Sequence, residues 1–174
     1  MLPQIKKMLY ATDLSPNAGY AMRYAINLAK KHDAKLIVLH VLVDIHRSRS
    51  ARELVESHID ADSLKRIRKD KIDFVKDKIL KRIQELCKKE LNDDPAAEGI
   101  FDSIELVEGY PPDEILSKAD KFNCDVIIMG THGKGFLKHS YFGSTSKRVL
   151  RRTRKPVFII PLPEGETDIT FHNM

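Results

Sequence analysis

From Gly130 to Thr145 the chain reads Gly-Thr-His-Gly-Lys-Gly-Phe-Leu-Lys-His-Ser-Tyr-Phe-Gly-Ser-Thr, after an apolar run, Val126 to Met129, and before a basic helix-like stretch. Gly130, Gly133 and Gly143 let the backbone turn where a side chain would clash. Ser144 and Thr145, with Ser146 behind them, place amides and hydroxyls at a helix N-terminus, where anions bind. The chemistry implied is phosphate binding, and a nucleotide is the ligand that fits it. Two standard phosphate loops do not match. Gly130 and Gly135 have the gap of a P-loop, but Phe136 and Leu137 stand where Lys and Ser/Thr belong, and the dinucleotide fingerprint is also absent.

The elements that must position this loop are legible as a βα alternation. Met8–Thr12, Leu36–Val43, Ile104–Val107, Val126–Met129 and Val157–Ile160 are short apolar runs separated by helical patterns, which predicts a parallel sheet. Ser15 and Pro16 supply a helix cap and first-turn proline for a helix ending near His32. Leu64, Ile67, Val75, Ile79, Ile83, Leu86 and Leu91 repeat at helical spacing, predicting a long helix over about 62–91 whose apolar face covers the sheet. Before it, 44–60 is polar and aperiodic and reads as a mobile loop. Residues 92–99 read as a surface turn. Pro111 and Pro112 open a third helix, with Asp113 and Glu114 in its first turn and Ile115, Ala119 and Phe122 facing the core. Ser144 to Arg152 reads as the last helix, and Pro156 stops it before a final strand at a sheet edge.

In an open α/β sheet, ligands bind beyond the strands' C-terminal ends where the winding reverses. Three segments lie at such ends: Ala11-Thr12-Asp13-Leu14-Ser15, His40-Val41-Leu42, and Met129-Gly130 with the loop after it. Asp13 would repel phosphate but can accept hydrogen bonds from an adenine amino group or a ribose hydroxyl, and it reads equally as a cap for the turn into the first helix. Val41 can offer backbone contacts to a base or simply pack. His132 and His139 can touch phosphate or a metal, or remain solvated loop residues. Lys134 and Lys138 are ambiguous in the same way.

Composition narrows the classes. A chain of 174 residues, 42% hydrophobic, supports one sizeable core and reads as a single domain spanning 1–174. No apolar run approaches the roughly 18 residues of a membrane span, and no charged n-region with an apolar core follows Met1, so a cytoplasmic location is expected. Cys87 and Cys124 form no zinc or CxxC spacing, which suits free thiols in a reducing compartment. The net charge of +5 is concentrated between Asp62 and Leu91, where eleven Lys/Arg oppose six Asp/Glu. Those charges are mixed in sign with Phe74 as the sole aromatic, a pattern of a solvated helix face that argues against a nucleic-acid partner.

Gly130, Gly133, Gly143 and Ser144 satisfy Gly-x2-Gly-x9-Gly-Ser/Thr, which resembles the nucleotide-binding signature of the universal stress protein family. The resemblance runs from Lys7 to Pro161. Ala11-Thr12-Asp13-Leu14-Ser15 resembles its first-strand motif, Gly109-Tyr110-Pro111 with Ile115 and Ala119 its third-helix region, and Lys155-Pro156-Val157-Phe158-Ile159-Ile160 its closing strand. It implies an α/β, Rossmann-like fold of the adenine nucleotide alpha hydrolase-like kind, an open five-stranded parallel sheet flanked by helices. It also implies a homodimer pairing through the last strand, and an ATP site. Asp13 and Val41 would hold adenine, Gly130 the ribose region, and Gly133, Gly143, Ser144 and Thr145 the phosphates. ADP and AMP stay open as ligands, and Mg²⁺ or Mn²⁺ as a companion ion. The stretch from Asp44 to Leu91 exceeds a minimal crossover and leaves room for a lid or a partner surface.

The leading expectation is therefore an ATP-binding regulatory or stress-response protein with an unidentified protein partner. A slow metal-dependent ATPase or nucleotidyl-transfer enzyme is the second reading. It lacks a visible nucleophile and base, acidic metal pair or P-loop lysine, so Asp13 or His132 would have to be recruited. A partner-docking module whose glycine loop is only a turn is the third.

Overall fold

The computed structural model describes residues 2–43, 60–90, 99–131 and 142–161, with residues 16, 43, 61 and 86–90 described by backbone alone. The described elements alternate as β1 (Lys7–Thr12), α1 (Pro16–His32), β2 (Lys35–Val43), α2 (Ala61–Glu90), β3 (Phe101–Gly109), α3 (Pro111–Lys121), β4 (Val126–Gly130), α4 (Ser144–Arg152) and β5 (Val157–Ile160). The expected mobile loop, apart from Asp60, and the turn at 92–98 lie outside the described residues.

Local chemistry sets the boundaries. Ser15 Oγ accepts the Ala18 amide at 3.2 Å and caps α1, with Pro16 in the first turn. The helix ends where Asp33 turns left-handed at φ 51°. Pro111 opens α3, and Asp113 and Glu114 complement the positive end of its dipole. Several boundaries differ from expectation. Strand β3 runs over Phe101–Gly109 rather than Ile104–Val107, because its positions are mostly half-buried and its polar residues break the apolar run. Gly130 is the last residue of β4 rather than the first of a loop.

All five strands pair in parallel, in the order β3-β2-β1-β4-β5. The chain winds outward from β1 through β2 to β3, then returns to the other side of β1 for β4 and β5. The reversal falls between β1 and β4, and β5 forms an edge.

Side chains alternating across the strands build two cores. Met8, Tyr10, Leu36, Val38, Val126 and Ile128 pack against α1 and against Val75, Ile79 and Ile83 of α2. Leu9, Ala11, Ile37, Leu39, Val41, Ile127 and Met129 pack against Ile115 and Ala119 of α3 and Val149 of α4. The expected apolar face of α2 covers the sheet over only part of its length, since Ile67 remains exposed. Phe122 is only partly buried, as the residue that ends α3. No helix among the described residues is long and apolar enough to cross a membrane.

Candidate functional site

A cleft of about 660 Å³ opens over the C-terminal ends of β1, β2 and β4, where the winding reverses. Ala11, Thr12, Asp13, Val41, Met129, Gly130, Gly143, Ser144, Thr145 and Ser146 all line it. Ser15 does not. It is buried, and its hydroxyl serves as the α1 cap. His132 and Gly133, with Lys134, Lys138 and His139, lie outside the described residues.

One wall is the turn after β1. Thr12 Oγ1 accepts the Leu14 amide at 3.1 Å and Asp13 Oδ1 accepts the Ser15 amide at 3.0 Å, so Asp13 does cap the turn while also facing the cleft. Between them Leu14 sits at φ 64°, a left-handed conformation uncommon for a residue with a Cβ. From the far side of the sheet, Arg82 of α2 donates through Nη2 to the Leu14 carbonyl at 2.8 Å. Arg82 is buried. That burial lowers its pKa, opposed by the neighbouring Tyr10, Asp13 and Glu85. Tyr10, wholly buried, donates its hydroxyl to the Ala18 carbonyl, and burial pushes its phenol pKa up.

The opposite wall joins β4 to α4. Thr131 is the hub: its amide donates to the Ile160 carbonyl at 3.0 Å, and its own carbonyl accepts the Gly143 amide at 2.6 Å and the Ser146 hydroxyl at 2.8 Å. Its Oγ1 also accepts from Asn17 Nδ2 at 3.2 Å. Gly143 is the α4 N-cap at φ −66° and ψ 163°, values any residue adopts, and its amide is committed to Thr131. That bond straps the start of α4 to the end of β4. The Ser146 hydroxyl is likewise turned inward. The α4 amides of Ser144, Thr145 and Ser146 precede the first intrahelical bond, Lys147 N to Gly143 O at 3.0 Å, and no acidic residue lies in that turn. This is an anion-ready helix end.

Between the walls lies an apolar slot formed by Ala11, Leu39, Val41, Ile115 and Met129. His40, buried at its rim, donates through Nδ1 to the Thr12 carbonyl at 2.7 Å, a tautomer required because a carbonyl only accepts. Sequence reasoning missed Asn17, Thr131, and the cleft-lining Lys71, Phe74 and Lys78 of α2. For the last three a signal existed: they share one face at i, i+3 and i+7.

Among the described lining residues Asp13 is the only carboxylate, and no described cluster of three His, Cys, Asp or Glu could hold a metal ion.

Fold and cleft together define a parallel α/β protein with an anion-ready helix end and an apolar slot at its topological switch point. The sequence profile of the universal stress protein family matches residues 4–161, and the chain belongs to that family. It is 30% identical over 158 residues to universal stress protein MJ0577 of Methanocaldococcus jannaschii, an alignment covering 89% of this chain and 94% of the relative. The solved structure of MJ0577 superposes with a TM-score of 0.70 at 26% identity, covering 92% of this chain and 99% of that one. A universal stress protein in complex with cAMP shares the fold at 19% identity and TM-score 0.54, covering 91% of this chain and 98% of that one. One from Archaeoglobus fulgidus in complex with dAMP does so at 17% identity and TM-score 0.54, covering 91% and 99%.

Proposed function

We propose that this protein binds an adenine nucleotide in the cleft and acts as a nucleotide-dependent regulatory or stress-response protein. The observation that carries the reading is the convergence at one switch point of complementary chemistry. The α4 amides suit phosphate, the apolar slot between Val41 and Ile115 suits a base, and Asp13 offers an acceptor for a ribose hydroxyl or an adenine amino group. Relatives that bind cAMP and dAMP support the adenine part of the reading.

ATP is the ligand proposed first, with Mg²⁺ or Mn²⁺ carried on its phosphates. Binding, rather than turnover, is its central act. A regulatory change requires the two conformations to differ in nucleotide affinity, because equal affinity shifts no population. The edge position of β5, with Phe158 exposed on it, supports a homodimer through that strand. A cytoplasmic location completes the proposal.

The test is mass spectrometry of nucleotide released from purified, denatured protein, then calorimetric titration of stripped protein with ATP, ADP and AMP plus Mg²⁺. Stoichiometric adenine nucleotide or saturable binding is the expected result. Neither nucleotide nor binding heat, with an unchanged melting temperature, would leave the cleft a structural feature and favour a partner-docking module.

A further inference from the structure

Leu14 presents a local problem. A leucine at φ 64° is held in a conformation that persists only where its surroundings over-determine it, and this one lies directly after Asp13 in the wall of the cleft. Its side chain is anchored in the α1/α2 core. Its carbonyl is anchored by Arg82, 68 residues further along the chain. A buried guanidinium is itself costly unless hydrogen bonds and opposite charge compensate it, and here it meets the Leu14 carbonyl and the field of Asp13 and Glu85.

We propose that Arg82 is a positioning residue for the nucleotide site: it holds the Asp13-bearing turn from behind the sheet and ties that turn to α2. The inference rests on the nucleotide reading of the cleft. The bonds that hold the turn include two local ones, to Thr12 and Asp13, and a long-range one from Arg82. Local bonds alone leave the Leu14 carbonyl free to rotate away, and with it the direction of the Asp13 carboxylate. The positive charge also offsets that of Asp13, easing the approach of a polyanion to a wall whose one carboxylate would repel it.

The same bond makes the helix a reporter of occupancy. Ligand contact that orders the turn strengthens the docking of α2, and by reciprocity firm docking of α2 strengthens ligand binding. Lys71 and Lys78 of that helix also face the cleft, so α2 touches the site both behind the turn and beside it.

The experiment compares wild type, Arg82→Met and Arg82→Lys in ATP calorimetry, below the melting transition of each, with hydrogen exchange measured with and without saturating ATP. Arg82→Met should weaken ATP about tenfold or more, as expected when a hydrogen bond from a charged group is lost. Arg82→Lys should recover most of that loss, which a merely space-filling role would not produce. In wild type, ATP should slow exchange both in the turn at 12–18 and in α2 over 71–83; in Arg82→Met the α2 response should vanish. ATP affinity within twofold of wild type in a folded Arg82→Met, or a wild-type ATP response confined to the turn, overturns the proposal. Should Arg82→Met not fold, the guanidinium proton exchange of Arg82 in wild type decides, slowing with ATP if the proposal holds and unchanged if it does not. Wild type that binds no ATP overturns the nucleotide reading and this inference together, whereas binding that is indifferent to Arg82 overturns this inference alone.

Discussion

Gly130 and Asn17 are in contact across the site: a Cβ on Gly130 would stand 3.0 Å from Asn17 Cγ. Asn17 is buried and donates to Thr131 Oγ1, so it has little room to retreat. A side chain at the end of β4 would thus crowd the α1 side chain beside it, before any ligand enters. Gly130→Ala should lower the stability of ligand-free protein by about 1–3 kcal/mol, the usual effect of overpacking. Urea unfolding of stripped protein checks this, and an unchanged midpoint would leave the contact without consequence.

Asp13 serves the turn and the cleft at once, and the two duties separate by substitution. Asp13→Asn keeps an acceptor for the Ser15 amide and should stay within about 0.5 kcal/mol of wild type. Asp13→Ala loses the acceptor and should cost about 1 kcal/mol. Calorimetry should show weakened ATP binding in both. If Asp13→Asn binds ATP normally, the carboxylate charge is not part of the site.

Ser146 is expected to act through structure. Its hydroxyl is buried against the Thr131 carbonyl, which retains the Gly143 amide when that hydroxyl is removed. Ser146→Ala should therefore cost about 0.5–1.5 kcal/mol. Ser144→Ala, on the exposed first turn of α4, should leave stability within about 0.5 kcal/mol. A large loss of ATP affinity in Ser146→Ala without loss of stability would instead make the hydroxyl a ligand contact.

Burial pushes the Cys124 thiol from 9.0 up to about 11. The folded state therefore keeps a proton that the unfolded chain releases from about pH 9, so stability should fall as pH rises from 9 toward 11. Buried Tyr10 adds to the same trend above pH 10, its phenol being raised from 10.0. Melting temperatures across this range should decline, with a shallower decline in Cys124→Ala. A thiol-alkylating reagent at pH 8, with sites mapped by mass, should spare Cys124 until the protein unfolds.

Phe158 on the edge strand tests the proposed dimer. Phe158→Asp places a charge on the exposed side of β5 and should convert a dimer to a monomer in light scattering, with the melting temperature of the monomeric fold little changed. A wild type that scatters as a monomer removes the β5 pairing from the proposal.

The βα alternation and the two lobes of binding chemistry were legible in the sequence because their signals are local. Apolar runs of strand length, the Ser15-Pro16 and Pro111-Pro112 helix entries, and glycines before a Ser-Thr helix start depend only on neighbouring residues. Membership of the family was legible for the same reason, in the spacing of Gly130, Gly133, Gly143 and Ser144.

Tertiary structure decided which polar groups turn toward the cleft and which are used to build it. Ser15, Ser146 and the Gly143 amide look like ligand groups in sequence, yet each is held by an internal bond whose partner depends on how β4, α1 and α4 are packed. Asn17 and Arg82 carry no local signal at all. Their roles arise from contacts spanning 114 and 68 residues, which exist only once the parallel sheet has brought the ends of β1 and β4 together and α2 has docked against the turn after β1. Spacing along the chain sets which residues share an element; the closing of the sheet sets which elements share a site.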